Sequence, residues 1–303
     1  MKAHDIIIIG GGPGGLTAGL YAARADLDCL LLEKGLAGGQ MFITDNIENY
    51  PGFPEGISGP ELSERFSAQV ERLGLEIQYA EVEKIKIEAD RFLLTTDEGD
   101  FPGKTLIIST GANPRELGVP GERRLRGRGV SYCATCDGAF FRDQEIVVVG
   151  GGDTAVKEAL YLANLASRVR VVHRRDLLRA DKFLQKKAFN NPKIEFIWDH
   201  VAEEFLGENE VTGIRIKNVK TQKTSTLKTN GIFPFVGINP NTSFLPEEIE
   251  LDEGGFIKTN EDCETSVPGV FAVGDVRAKK LRQIITAAAE GAIAATAAAE
   301  MLD

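Results

Sequence analysis

Residues 5–35 read DIIIIGGGPGGLTAGLYAARADLDCLLLEKG, and residues 145–180 read EIVVVGGGDTAVKEALYLANLASRVRVVHRRDLLRA. A short apolar run that breaks into glycines, continues as a helix and ends in a second apolar run has few ways to fold. The pattern is that of a buried parallel strand, a tight turn, a crossover helix and a neighbouring strand. In the first copy the strands are Ile6 to Ile9 and Cys29 to Leu32, with a helix from Leu16 to Arg24. Gly10, Gly12 and Gly15 fill the G-x-G-x-x-G positions. Gly10 permits the turn, Gly12 lets a pyrophosphate approach the backbone, and Gly15 lets the helix sit close to the strand. The helix N-terminus then offers free N–H groups and a positive dipole end to phosphate. Glu33 ends the second strand, where an acid bonds ribose hydroxyls.

In the second copy the strands are Ile146 to Val149 and Val169 to Val172, and the turn carries Gly150, Gly152 and Ala155. Its second strand ends in His173, Arg174 and Arg175, with Arg179 a turn further on. An acid repels a 2′-phosphate, whereas arginines pair with it through charge-assisted bonds. The first site therefore suits an adenine nucleotide with a free 2′-hydroxyl, and the second suits NADPH. The copies lie about 140 residues apart, a domain-sized interval.

The C-terminal third has a strand, Val270 to Val273, that ends in Gly274-Asp275 and precedes a helix from about Gln283. Asp275 is placed to bond a ribityl hydroxyl. The helix dipole would favour a flavin whose reduced form carries negative charge. A strand ending at Thr110-Gly111 leads into a proline-marked crossing, and PFVGINPN (234–241) reads as the return crossing. One domain is thus inserted in the other: an outer domain of residues 1–113 and 242–303, and an inner one of 114–241. Thr221 to Thr229 reads as part of an exposed hairpin.

The 303 residues are 43% hydrophobic, enough for two cored domains, and the net charge is -10. Such an acidic chain is a poor general ligand for nucleic acid or anionic membrane. The longest apolar stretch, 283–302, is alanine-rich and broken by Glu290 and Glu300, which favours a packed helix over a membrane span. The start of the chain has no signal-peptide core, and four cysteines do not make a secreted scaffold. These features point to a cytoplasmic protein.

Two of the cysteines stand in SYCATCDGAF (131–140). By themselves they allow a structural disulfide, half a metal site or a redox couple. A metal site needs further ligands. Cys29 falls in a strand, Cys263 in a loop away from the motifs, and His4, His173 and His200 are scattered, so no metal is expected. His4 reads as a strand-edge residue, His200 as a surface one and Trp198 as a packing one.

The chain resembles low-molecular-weight, bacterial-type thioredoxin reductases over nearly its whole length. The resemblance rests on GGGPGG (10–15), GGQ (38–40), ENYPGF (48–53), STGA (109–112), GRGVSYCATCDG (127–138), GGGDTA (150–155), HRRDLLR (173–179), VGDV (273–276) and LRQIITAA (281–288). CATCDG is the most discriminating. Lys157 departs from the acid frequent at its position in the family, and Cys263 is additional.

The resemblance implies an α/β fold of two Rossmann-like dinucleotide-binding domains of the three-layer β-β-α type, the NADPH domain inserted into the FAD domain. It implies FAD contacts at Gly10, Gly12, Pro13, Gly15, Glu33, Gly39, Gln40, Asn49, Val82, Gly111, Gly274, Asp275, Arg282, Gln283 and Ile284. It implies NADPH contacts at Gly150, Gly152, Asp153, Thr154, His173, Arg174, Arg175, Arg179 and Gly237. It further implies a homodimer, thioredoxin as protein substrate, and a domain rotation about the two crossings. Cys133 is then the attacker on thioredoxin, Cys136 the sulfur towards the flavin, and Asp137 the general acid for the leaving thiolate. A helix beginning at the dithiol would lower the thiol pKa of Cys133. The alternatives are a related reductase serving another redoxin or a peroxiredoxin-linked acceptor, and a non-catalytic flavin-binding redox sensor.

Overall fold

The computed structural model describes residues 2–44 and 46–302. Two compact units emerge, one running to Asn113 and resuming at Asn239, the other spanning Pro114–Ile238.

The outer unit begins with β1 (His4–Ile9), α1 (Pro13–Arg24) and β2 (Cys29–Glu33). The helix starts three residues before the sequence-based expectation. Pro13 sits at its first position, where a missing N–H is harmless and the fixed φ already suits a helix. Next come α2 (Gly59–Glu71), β3 (Glu76–Tyr79), β4 (Val82–Ile87), β5 (Phe92–Thr96) and β6 (Gly99–Ile108). Ser58 caps α2 by accepting the Glu61 N–H at 3.3 Å, the Ser-x-x-Glu signature of a helix start. The strand read as reaching Thr110 stops at Ile108.

A short strand, β7 (Ala112–Pro114), carries the chain into the inner unit. There follow α3 (Ala134–Asp137), β8 (Glu145–Gly150), α4 (Asp153–Ala163), β9 (Arg168–Val172), α5 (Lys182–Phe189), β10 (Ile194–Ile197), β11 (His200–Leu206), β12 (Gly213–Asn218), β13 (Thr224–Lys228) and β14 (Gly231–Phe235). The return crossing is β15 (Ile238–Pro240), paired with β7. The outer unit closes with β16 (Val270–Ala272) and α6 (Ile284–Leu302).

Both units are built in three layers. In the outer one, β3-β2-β1-β6 pair in parallel, with β16 on the far side of β6. Side chains alternate along β1, as a strand requires. Ile6 and Ile8 pack with Leu16 and Ala18 of α1 and Ala294 of α6. Ile7 and Ile9 pack with Ile85, Phe92 and Leu94 of the antiparallel β4–β5. In the inner unit β10-β9-β8-β14 are parallel. Ile146 and Val148 meet Ala155, Ala159 and Leu162 of α4. Val147 and Val149 meet Phe205, Ile214 and Ile216 of the antiparallel β11-β12-β13.

By length and composition α6 could cross a membrane. Its small residues pack closely against α1. A Cβ on Gly291 would lie 2.2 Å from the Gly14 carbonyl oxygen of α1. Ala294, Ala295 and Ala298 are fully buried beside that contact.

Candidate functional site

The outer glycine turn is assembled by contacts that leave no room for side chains. Gly10 has φ +102°, and a Cβ there would come 2.5 Å from the Ser109 carbonyl oxygen. A Cβ on Gly15 would come 1.9 Å from the Gly10 carbonyl oxygen. At Gly12 a Cβ would meet no atom within 4 Å. The turn therefore presents bare backbone at its middle glycine, at the N-terminus of α1, where a pyrophosphate fits. Glu33 braces it, accepting N–H groups from Gly11 at 2.6 Å and Gly35 at 2.8 Å. Each carboxylate oxygen keeps capacity for a further donor such as a ribose hydroxyl.

Of the other outer-unit positions, Gly39 lies against this turn, and the rest are placed by contacts of their own. The Gly38 N–H bonds the Gly11 carbonyl at 2.7 Å, which lays the Gly39–Met41 turn beside Gly12. Gln40 donates to Asn113 at 2.9 Å, and Asn49 donates to Gln283 at 2.9 Å across 234 positions of sequence. Gly111 has φ +69° with nothing within 4 Å of its Cβ position. Gly274 has φ +73° and opens the turn that carries Asp275. Burial pushes the Asp275 carboxyl up, against the pull of Lys279 and Arg282. Arg282 donates to the carbonyls of Asp275, Lys279 and Arg277 and lies over the Phe256 ring at 4.2 Å. It is thus the brace of this loop, which leads into Ile284 at the start of α6. Val82 opens β4 and packs on the core. These residues fit FAD: an open pyrophosphate turn, an acid at the ribose position and a second acid at a glycine turn.

The inner turn repeats the construction. Gly150 has φ +154°, and its Cβ would lie 2.4 Å from the Phe235 carbonyl oxygen, while Gly152 again has nothing within 4 Å. Asp153 and Thr154 begin α4, exposed. Asp153 accepts the Asp181 N–H at 2.6 Å, and the Arg179 N–H bonds the Gly151 carbonyl at 2.8 Å. Both bonds draw the 174–181 segment onto the glycine turn. Arg174, Arg175 and Arg179 line a cleft of about 430 Å³ with Lys220, Asp176 and Asp199. Lys220 was not anticipated from sequence. It stands just past β12 in a polar turn and pairs with Asp199 at 2.8 Å and Asp176 at 3.5 Å.

His173 differs in character from the arginines beside it. It is 5% exposed, bonded to the Leu177 carbonyl at 3.1 Å, and its ring lies where a Gly151 Cβ would come within 2.3 Å. Burial lowers its pKa, with Arg174, Arg175 and Arg179 adding to the effect. It shapes the turn as a neutral ring. Gly237, at φ +123°, accepts the Arg115 N–H at 2.9 Å. The cleft and the open glycine backbone fit a dinucleotide carrying an extra phosphate.

Cys133 and Cys136 are joined by a disulfide in the inner unit. The Cys136 N–H is donated to the Cys133 sulfur at 3.2 Å. The helix expected to start here is the single turn α3, followed by a 3-10 turn at Gly138–Phe141, because the chain must bend to pack Gly138 against Leu162 and Leu165. The Cys133 sulfur thus meets the Cys136 N–H and, at 3.5 Å, the Thr135 hydroxyl, rather than the dipole of a long helix. The segment is anchored on both sides. Ser131 donates its N–H to the Ile232 carbonyl at 3.0 Å. Tyr132 donates its hydroxyl to Glu122 at 2.8 Å, and buried Glu122 also accepts N–H groups from Leu117 and Gly118. Asp137 is half-buried directly after Cys136.

Other positions depart from expectation. Cys263 is fully buried, and Arg277, directly after the VGDV motif, donates to its sulfur at 3.2 Å. It is therefore not clear of the motif region. Burial pushes its thiol up to about 11. His200 opens β11 half-buried, with its Nδ1 at the Trp198 carbonyl. Trp198 stacks on Phe196 at 5.0 Å, a packing role.

Two dinucleotide folds, one inserted in the other, with a C-x-x-C disulfide in the inner one, define a nucleotide-dependent disulfide oxidoreductase. The family model for pyridine nucleotide-disulphide oxidoreductases matches residues 4–291. The thioredoxin reductase of Listeria innocua is 47% identical over 97% of this chain and 92% of its own length. That of Bacillus subtilis is 45% identical over 97% and 93%. The crystal structure of thioredoxin reductase from Streptococcus pyogenes matches with a TM-score of 0.95 at 49% identity, covering 99% of this chain and 98% of that one. The chain belongs to the pyridine nucleotide-disulphide oxidoreductases and, within them, to the thioredoxin reductases. It is an FAD- and NADPH-dependent oxidoreductase.

Proposed function

We propose that the protein reduces the disulfide of thioredoxin with electrons from NADPH, that the outer unit holds FAD through the residues gathered around Gly12 and Asp275, and that the inner unit holds NADPH on Gly150–Thr154 and the arginine cleft. The observation that carries this reading is the Cys133–Cys136 disulfide in the same unit as a glycine turn whose following strand ends in arginines. Bound FAD would supply two-electron chemistry between a nicotinamide hydride and a disulfide.

The chain's own residues do the rest. Reduced Cys133, with the Cys136 N–H directed at its sulfur, attacks one sulfur of the thioredoxin disulfide. A mixed disulfide forms as the other thioredoxin sulfur leaves, and Asp137 gives it a proton. Cys136 then attacks the Cys133 sulfur, restores the internal disulfide and releases the second thioredoxin thiol. Two electrons and two protons pass from the internal dithiol to thioredoxin, so the step balances.

We further propose a homodimer, supported by the exposed Tyr21, Ile285 and Ile293 on the outer-unit helices, and testable by sedimentation. A reducing compartment such as the cytoplasm suits the free cysteines Cys29 and Cys263. The test of function is NADPH oxidation by the flavin-loaded protein with and without thioredoxin. Turnover should need thioredoxin and vanish in Cys136→Ser, while NADPH still bleaches the flavin of the variant. Bleaching without any transfer in the wild type would instead favour the sensor reading.

A further inference from the structure

Glu290 breaks an otherwise apolar, alanine-rich helix, and its side chain is only 13% exposed. A buried carboxylate needs a full set of partners, and those of Glu290 converge on one turn. Its Oε2 accepts the Gly274 N–H at 2.7 Å. Lys279 Nζ reaches its two oxygens at 3.0 and 3.1 Å, and Arg277 Nη1 lies 3.2 Å from Oε1. Lys279 and Arg277 are 11% and 13% exposed. Arg277 also donates to the Cys263 sulfur at 3.2 Å and to the Asn260 carbonyl at 3.1 Å. The carboxylate thus ties the first backbone N–H of the 274–276 turn to the second turn of α6. That turn has a left-handed glycine, φ +73°, directly before Asp275.

Replacing a buried ion cluster by packed hydrophobic groups is often neutral or stabilising, so stability alone does not account for the arrangement. An apolar residue at 290 cannot orient the Gly274 N–H, and with it the direction of the Asp275 carboxylate. We propose that Glu290 is the positioning residue of the flavin turn. It holds residues 274–276 in the geometry that presents Asp275 to the cofactor; Arg277 and Lys279 pair its carboxylate, and Cys263 seats Arg277. This role rests on the reading of Asp275 as an FAD contact.

The test is FAD titration into the stripped protein, followed by quenching of flavin fluorescence, with thermal unfolding of the same stripped samples. Glu290→Ala should raise the FAD Kd by about 30-fold, the loss of a charge-assisted bond to a fixed donor. Glu290→Gln keeps an acceptor for the Gly274 N–H and should lose only about fivefold. Cys263→Ala should lose about threefold, acting through Arg277 and through its own contact with the Glu290 carbonyl at 3.8 Å. Ala298→Gly, which weakens the same helix away from the turn, should leave the Kd within about twofold of wild type whatever its effect on unfolding. An FAD Kd that tracks unfolding temperature equally in all variants would overturn the inference, as would Glu290→Ala binding like wild type. If Glu290→Ala does not fold, Glu290→Gln against Ala298→Gly makes the same comparison. Failure of the wild type itself to take up FAD would overturn the cofactor reading as well, and is seen separately from any variant.

Discussion

The two glycine turns are the same device, changed at the third glycine position and at the end of the second strand. In each, the first glycine is forced by a neighbouring carbonyl oxygen, Ser109 at 2.5 Å in one and Phe235 at 2.4 Å in the other, and the middle glycine faces open space. They diverge where the second strand ends. Gly11 meets Glu33, whose carboxylate takes its N–H. Gly151 meets His173, a buried ring followed by arginines that open into a cleft. On the proposed reading, the scaffold makes a phosphate seat in both units, and the strand-end residue decides which nucleotide the seat prefers.

The third glycine position offers the largest test of this comparison. In the outer turn it faces backbone at 1.9 Å, whereas the inner turn carries the fully buried Ala155. Gly15→Ala should cost about 3 kcal/mol or more by overpacking and strip the protein of flavin, measured by absorbance of the purified variant. Ala155→Gly should cost only about 1 kcal/mol in chemical denaturation. Equal effects would break the parallel. Glu33→Gln is intermediate. It removes the charge and one of the two acceptors that hold the Gly11 and Gly35 N–H groups, and should weaken FAD about tenfold by titration, leaving the NADPH Kd unchanged.

The smallest effect is a pH dependence peculiar to the inner unit. The pKa of His173 is lowered in the folded chain, so the unfolded chain binds the proton more readily. Its contribution to stability is complete above the unfolded pKa, about 6.5, and is lost as pH falls from there through the lower folded value. Trp198, the one tryptophan, lies 6.4 Å from His173 and reports on this unit. Its fluorescence should show stability falling as pH drops below about 6.5, with a shallower slope in His173→Gln.

What the sequence made legible was local. Strand, glycine turn and helix are contiguous, and their spacing is set by backbone geometry, so both nucleotide seats and the dithiol could be read directly. Beyond the hairpin at 221–229, the second β layer of each unit was expected only through family resemblance: β4–β5 and β11–β13 pair with their sequence neighbours, but the sheet face they cover lies far along the chain. Burial was also hidden. His173 sits in a run of basic residues and reads as a nucleotide contact, yet the fold buries its ring against Gly151. Glu290 reads as an interruption of an apolar stretch and Cys263 as a stray thiol, yet both meet Arg277 beside the Gly274 turn. Lys220 lies in a polar turn that gives no sign of the cleft it borders.

The central claim is that the residues at the end of the second strand sort the nucleotides. The direct measurement is kcat/KM for thioredoxin reduction with NADPH and with NADH, in the wild type and in Arg174→Ala/Arg175→Ala. Loss of two charge-assisted contacts to the 2′-phosphate should lower the NADPH value by about 100-fold or more and change the NADH value by less than about threefold. Equal losses for both nucleotides would contradict the claim.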